Sequence, residues 1–106
     1  DEAQFLTEKQ VKELYQISLK YTVVCFGLKT DFRQCFFEGS KALFELADDI
    51  RELKTVCACG KIATINARIN ENGEILLDGE QIEIGGNERY KSMCKHCFER
   101  EKNKKM

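Results

Sequence analysis

The chain has 106 residues, 42% of them hydrophobic and 33% charged, which suits one soluble globular domain with a modest core. Its 17 Lys and Arg against 18 Asp and Glu leave a net charge of −1, without the broad basic footprint of a nucleic-acid binder. No apolar stretch approaches the roughly 20 residues that span a bilayer, and these 106 residues contain no secretory-signal pattern.

The first residues, DEAQFL, pair two carboxylates with an apolar dipeptide and carry no initiator methionine. A strand-end Asp that helps hold Mg²⁺, with a neighbouring carboxylate acting on the nucleophile, is a pattern of phosphate-transferring enzymes. A plain exposed acidic terminus is the alternative. Thr7 with Gln10, followed by Val11, matches a capping box and predicts a helix over 8–20, with Val11, Leu14 and Tyr15 on one face. The run YTVVCFGL, 21–28, is apolar and β-branched, as a strand covered on both sides would be. A loop over 29–40 carries Phe32, Phe36 and Phe37, which are either local core or aromatic faces for a planar base. Ser40 is expected to cap a second helix reaching Lys54, with Leu43, Phe44, Leu46, Ala47, Ile50 and Leu53 as its inner stripe.

The texture changes near Val56. Residues 62–69, IATINARI, alternate as a strand does, and Glu71-Asn72-Gly73 marks a turn. EILL and QIEI follow as short strand-like pieces, then Gly85-Gly86. This half has few apolar residues and needs a staple to fold. The staple is supplied by two cysteine hooks, Cys57-Ala-Cys59-Gly60 and Cys94-Lys-His-Cys97, with 34 residues between them. Four thiolates suit a tetrahedral, closed and therefore structural zinc site. Cys97 is preferred over His96 because positions i and i+3 close the hook. Two disulfides in a secreted domain, or four free thiols, are the alternatives. Cys25, inside the apolar run, reads as a small buried hydrophobe. The basic residues from Arg100 onward read as a frayed tail.

Together these segments resemble the zinc-containing (type II) thymidine kinases: DEAQF, GLKTDFR, FEGS, LKTVCACGKIAT, GEQIEIGGNERY and CKHC occur in order. The resemblance covers residues 1–98. It implies an α/β fold: the C-terminal portion of a P-loop NTPase-like parallel-sheet kinase domain over 1–56, a small zinc-ribbon-like β subdomain carrying a lasso loop over 57–98, and a flexible basic tail over 99–106. It implies ATP-dependent phosphorylation of the thymidine 5′-hydroxyl to dTMP, in nucleotide salvage for DNA synthesis. Glu2 matches the catalytic base. Asp1, Glu2, Ala3 and Gln4 match the nucleotide-contacting stretch, with Asp1 working with the Mg²⁺ of ATP. Phe5, Leu28, Phe32 and Phe37 match residues shaping the nucleoside pocket, Asn66 a position near the base that is commonly Thr in the family, and Tyr90 the tyrosine on the deoxyribose side. Cys57, Cys59, Cys94 and Cys97 match the zinc ligands.

The resemblance further implies a cytoplasmic homotetramer, with dTTP as feedback inhibitor and no nucleic-acid or membrane partner. The 106 residues contain no GxxxxGK[ST] phosphate loop. Asp1 is therefore expected to lie mid-protein, after a missing N-terminal half, and the chain is expected to be inactive alone. A free-standing zinc-ribbon interaction module is the competing reading.

Overall fold

A computed structural model describes residues 1–81 and 89–105. They divide into two units: Asp1–Thr30 with Phe36–Glu52, and Asp31–Cys35 with the described residues from Leu53 onward. The elements are helices and two small antiparallel sheets. No helix among the described residues is long and apolar enough to cross a membrane.

The first unit begins with a 3-10 turn, Ala3–Phe5, entered through Glu2 at φ 58°. The turn is tied down by Ala3 N donating to Phe26 O at 2.9 Å. Helix α1, Glu8–Ser18, starts at the expected capping box: Gln10 N donates to Thr7 Oγ1 at 3.1 Å and Thr7 N to Gln10 Oε1 at 2.9 Å. Val11 is buried, Leu14 is half-buried and Tyr15 is exposed. Helix α2, Glu38–Leu46, packs against α1 and the 3-10 turn through Gly39, Ser40 and Ala42.

Three expectations for this unit are corrected. Residues 21–28 form no strand. A ladder needs a partner along its length, and the described backbone hydrogen bonds of the segment are isolated ones, Tyr21 N to Ile17 O and Ala3 N to Phe26 O. Tyr21 at 71% and Val24 at 66% stand exposed, as do Phe26 and Leu28, and Cys25, expected to be buried, is only half-buried. Ser40 is not a helix cap either. Phe37 occupies that position, and Ser40 lies within the first turn, where its hydroxyl donates to Leu28 O. Finally, α2 stops at Leu46, short of Lys54, and Ile50 and Leu53 are exposed. An amphipathic stripe sustains a helix by packing, and at 48% and 77% exposure these two side chains supply little of it.

In the second unit, β1 (Thr55–Val56) pairs with β2 (Ile62–Ala63) around the first cysteine hook. The single strand expected over 62–69 is broken at Thr64, whose N–H donates to Met93 O at 3.1 Å. The rest becomes β3 (Ile65–Ile69), the centre of a sheet ordered β4-β3-β5, with β4 at Ile75–Leu76 and β5 at Arg89–Met93. The predicted turn joins β3 to β4: Asn70 Oδ1 accepts from Asn72 N and Glu74 N at 2.9 and 3.0 Å, and Gly73 takes φ 80°. Helix α3, Lys95–Lys104, takes in most of the stretch expected as a frayed tail. It is started by Cys94, whose sulfur accepts from Cys97 N, and anchored by buried Phe98. The QIEI piece beyond Gln81, Gly85-Gly86 and most of GGNERY lie outside the described residues.

Strand alternation gives the β3 sheet two chemically different faces. Ile65 and Ala67 point to a core shared with Ala63, Ile75, Met93, Phe98, Cys57 and Cys94. Asn66 and Arg68 point the other way. The β3–β5 register sets Asn66 opposite Ser92 and Arg68 opposite Tyr90, so Tyr90 shares that second face.

Candidate functional site

The acidic turn is built by its own backbone conformation and three hydrogen bonds. The left-handed backbone at Glu2 turns the chain into the 3-10 helix, and Glu2 N donates to Asp1 Oδ1 at 2.8 Å. Both carboxylates are exposed. Gln4 is 3% exposed, and its amide is used at both ends: Nε2 donates to Glu2 Oε2 at 2.8 Å, while Oε1 accepts from Leu28 N at 3.2 Å. The Glu2 carboxylate is thus aimed by a buried side chain that is itself pinned to backbone. Gly39 makes this packing possible, because a Cβ there would collide with the carbonyl oxygens of Ala3, Leu6 and Gln4.

Of the expected nucleoside residues, Phe5, Leu28 and Phe37 belong to this first unit. Phe5 and Phe37 meet edge-to-face, with centroids 5.8 Å apart. Leu28 is fixed at both backbone ends, by Gln4 and by the Ser40 hydroxyl. Phe32, Asn66 and Tyr90 belong to the second unit. Phe32 is 1% exposed and lies under the Arg68 guanidinium at 3.9 Å; Tyr90 is exposed. Asn66 is half-buried, on the same sheet face as Arg68.

The loop presenting Phe32 is folded around Asp31. Its carboxylate accepts from Arg33 N at 2.8 Å, Cys35 N at 3.0 Å and Gln81 Nε2 at 3.0 Å. Burial pushes the Asp31 carboxyl up. The Cys35 N–H, the Gln81 amide, the Arg33 N–H and the Arg33 guanidinium outweigh that and hold it below its ordinary value. Asp31 and Arg68 carry no motif, so reading the sequence passes over both. The signal for Arg68 was the alternation of IATINARI, which puts it on one face with Asn66.

The four cysteines of the two hooks come together, with all their sulfurs within 4.8 Å of one another. Cys59 and Cys94 are 3.6 Å apart, and all six cysteines of the chain are free thiols. A disulfide would need about 2.05 Å, whereas four sulfurs about 2.3 Å from a zinc ion stand roughly 3.8 Å from each other. The donor set and its spacing fit zinc. His96 is exposed and outside the cluster. The first hook turns through Gly60 at φ 95°, with Gly60 N donating to Cys57 O at 2.8 Å and Cys57 N to Lys61 O at 2.7 Å. The second is closed by Cys97 N donating to Cys94 Sγ at 3.4 Å.

Crowding pulls the thiols apart in acidity. Cys57 is lowered to about 6, chiefly by the backbone N–H groups of Cys59 and Cys94; Cys94 is lowered too, first by the Cys97 N–H. Cys97 is pushed up to about 12 by thiol contacts with Cys59 and then Cys94. Such a cluster loses its first proton readily and its last with difficulty, and a cation at its centre would favour the thiolate at every corner. Arg100 Nη2, 3.2 Å from Cys97 Sγ, adds positive charge at the rim.

A family model described as thymidine kinase matches residues 1–98. The thymidine kinase of Mannheimia succiniciproducens is 50% identical over 106 residues, covering 98% of this chain and 54% of that protein. That of Pasteurella multocida is 52% identical over 97 residues, covering 90% and 50%. That of Rhodopirellula baltica is 49% identical over 100 residues, covering 92% and 47%. The chain spans about half the length of the curated relatives it matches.

Proposed function

On the premise that this chain belongs to the thymidine kinase family, we propose that it supplies the acceptor-activating and nucleoside-covering portion of an enzyme that phosphorylates the thymidine 5′-hydroxyl with ATP. The observation that carries this reading is the exposed Glu2 carboxylate, aimed by buried Gln4 and standing beside Asp1. Glu2 accepts the proton of the 5′-hydroxyl as its oxygen bonds to the γ-phosphorus of ATP. The bond from that phosphorus to the β,γ-bridging oxygen breaks, and ADP and dTMP leave. Asp1 would hold the Mg²⁺ that accompanies ATP, which supplies charge neutralisation when bound. Ala3 and Gln4 complete the stretch facing the nucleotide.

Phe5, Leu28 and Phe37 are the nucleoside-side residues that the first unit carries; Phe32, Asn66 and Tyr90 are those that the second unit carries. Residues 57–98 form a zinc-ribbon-like subdomain carrying a lasso loop whose closure would exclude water. Zinc on Cys57, Cys59, Cys94 and Cys97 is structural, since four protein ligands leave no open position. Residues 1–56 belong to a P-loop NTPase-like core. The phosphate loop itself is no part of these 106 residues, so ATP binding draws on the half of the relatives that this chain does not match. Four reduced thiols suit a cytoplasmic setting. The exposed apolar side chains of the first unit, Val24 and Phe26 among them, suit coverage by further protein, as in a homotetramer. Feedback by dTTP at the same site completes the proposal.

The test is a chimera in which these residues replace the matching half of the Pasteurella multocida thymidine kinase. The chimera is expected to form dTMP from thymidine and ATP, and the 106-residue chain alone is expected to form none. A well-folded chimera without turnover would overturn the assignment.

A further inference from the structure

We infer that Arg68 is a positioning residue for the nucleoside side of the site, holding Phe32 and Tyr90 in register with each other. The inference rests on the nucleoside reading proposed above. Arg68 is 1% exposed and, with Phe32 and Val11, is among the largest fully buried side chains. Strand alternation turns it away from the thiol cluster, and register sets it opposite Tyr90. Its Nη1 donates to Glu80 O at 2.7 Å, and its Nη2 donates to Tyr90 Oη at 3.1 Å and Gln81 O at 3.3 Å. The guanidinium carbon, Cζ, lies over both rings, 3.9 Å from the Phe32 centroid and 5.6 Å from that of Tyr90.

One cation therefore binds three separate stretches: the loop at Phe32, the carbonyls of Glu80 and Gln81, and strand β5 at Tyr90. Gln81 closes the circuit, because its side chain donates to Asp31, the carboxylate around which the Phe32 loop is folded. An arginine suits this task as a lysine does not. Its flat fork donates in two directions while its face stacks on a ring. A hydrophobic residue of similar volume would fill the space without fixing the angle between the two aromatics.

Arg68→Met and Arg68→Lys are made in the chimera described above and in the 106-residue chain. In the chimera, Arg68→Met should raise the thymidine KM about tenfold or more, with the ATP KM within about twofold and bound zinc unchanged; Arg68→Lys should fall between. In the 106-residue chain, the ring-proton resonances of Phe32 and Tyr90 should move in both variants. A parent chimera that turns over, with an Arg68→Met variant that leaves the thymidine KM unmoved, overturns this inference alone. Equal loss with both substrates would mark a merely structural role and also overturns it. An inactive parent chimera overturns the functional reading and this inference with it. Should Arg68→Met lose zinc or fail to fold, Arg68→Lys decides: a thymidine KM equal to the parent's refutes the role.

Discussion

Replacing Gly39 with alanine sets two physical effects against each other at one atom. Gly39 sits in the first turn of α2. Helix propensity alone predicts that alanine stabilises, by about 0.5–1 kcal/mol. Packing predicts the reverse. The new Cβ would lie 2.8 Å from Leu6 O and 2.9 Å from Gln4 O, and would press on Ala3 O as well. All three are backbone atoms, so no side-chain rotation relieves the clash. Overpacking of this kind costs about 1–3 kcal/mol, and packing should win. Relief requires α2 and the 3-10 turn to separate, and that turn carries Glu2. Misplacing a reacting group by ~1 Å can cost ~100-fold in rate. Gly39→Ala should therefore lower the urea midpoint of the chain and reduce kcat in the chimera by roughly 10- to 100-fold, with little change in thymidine KM. A variant as stable as the parent, or more so, with unchanged kcat would refute the argument that the helix and the turn proposed to carry the base are fitted to each other through this position.

Glu2→Gln keeps the partner for Gln4 but cannot accept a proton. The chimera's kcat should fall by about 10²–10⁴-fold with substrate KM values nearly unchanged; retention of rate would show that the base is elsewhere. Removing zinc by chelation, or substituting Cys59→Ser, should melt the second unit, since metal binding supplies on the order of 10 kcal/mol in zinc-finger peptides. Metal analysis with circular dichroism checks this, and an identical melt with and without metal would contradict a structural role. Asp31 has a folded value held below its ordinary 3.8. Its contribution is fully present above 3.8 and fades as pH falls through the lower folded value. Asp31→Asn should cost about 1–3 kcal/mol near neutrality, with the difference from the parent shrinking only below about pH 4. A difference that is constant down to pH 2 would show that the carboxylate is not the source.

The residues that announce themselves in the sequence do so through local rules. Thr7 and Gln10 close on each other within one turn, Asn70 to Glu74 build their own loop, and each cysteine hook folds around its own backbone. None of these needs a distant partner to be foreseen. The errors share the opposite cause. Residues 21–28 have the composition of a buried strand, but a strand is a pairing, and pairing is not written in one segment. Ser40 looks like a cap because serine caps helices, yet its hydroxyl is taken by Leu28 O, 12 positions away. The stripe through Ile50 and Leu53 has helical spacing, yet both side chains stand exposed. Arg68 was overlooked for the same reason: its neighbours Phe32, Glu80, Gln81 and Tyr90 come from three other places in the chain.

The two faces of the β3 sheet explain why a closed thiol cluster belongs in this protein at all. Ile65, Ala67 and Met93 pack toward Cys57 and Cys94, while Asn66, Arg68 and Tyr90, carried by the same two strands, face the other way. The core on the first side is small, with two alanines, two isoleucines, one Met and one Phe doing most of the filling. Such a core alone is poorly suited to fix strand register. Yet register matters here more than usual, because a one-residue slip of β5 against β3 would send Tyr90 to the thiol side and part it from Arg68. The second hook begins at Cys94, directly after β5 ends at Met93, and the first stands just before β2 and β3. Tetrahedral ligation of both hooks would therefore lock β5 to β3 from the ends. On this reasoning a metal held by both hooks would act on the proposed nucleoside face without touching it, by fixing which residues of β5 are allowed to stand there.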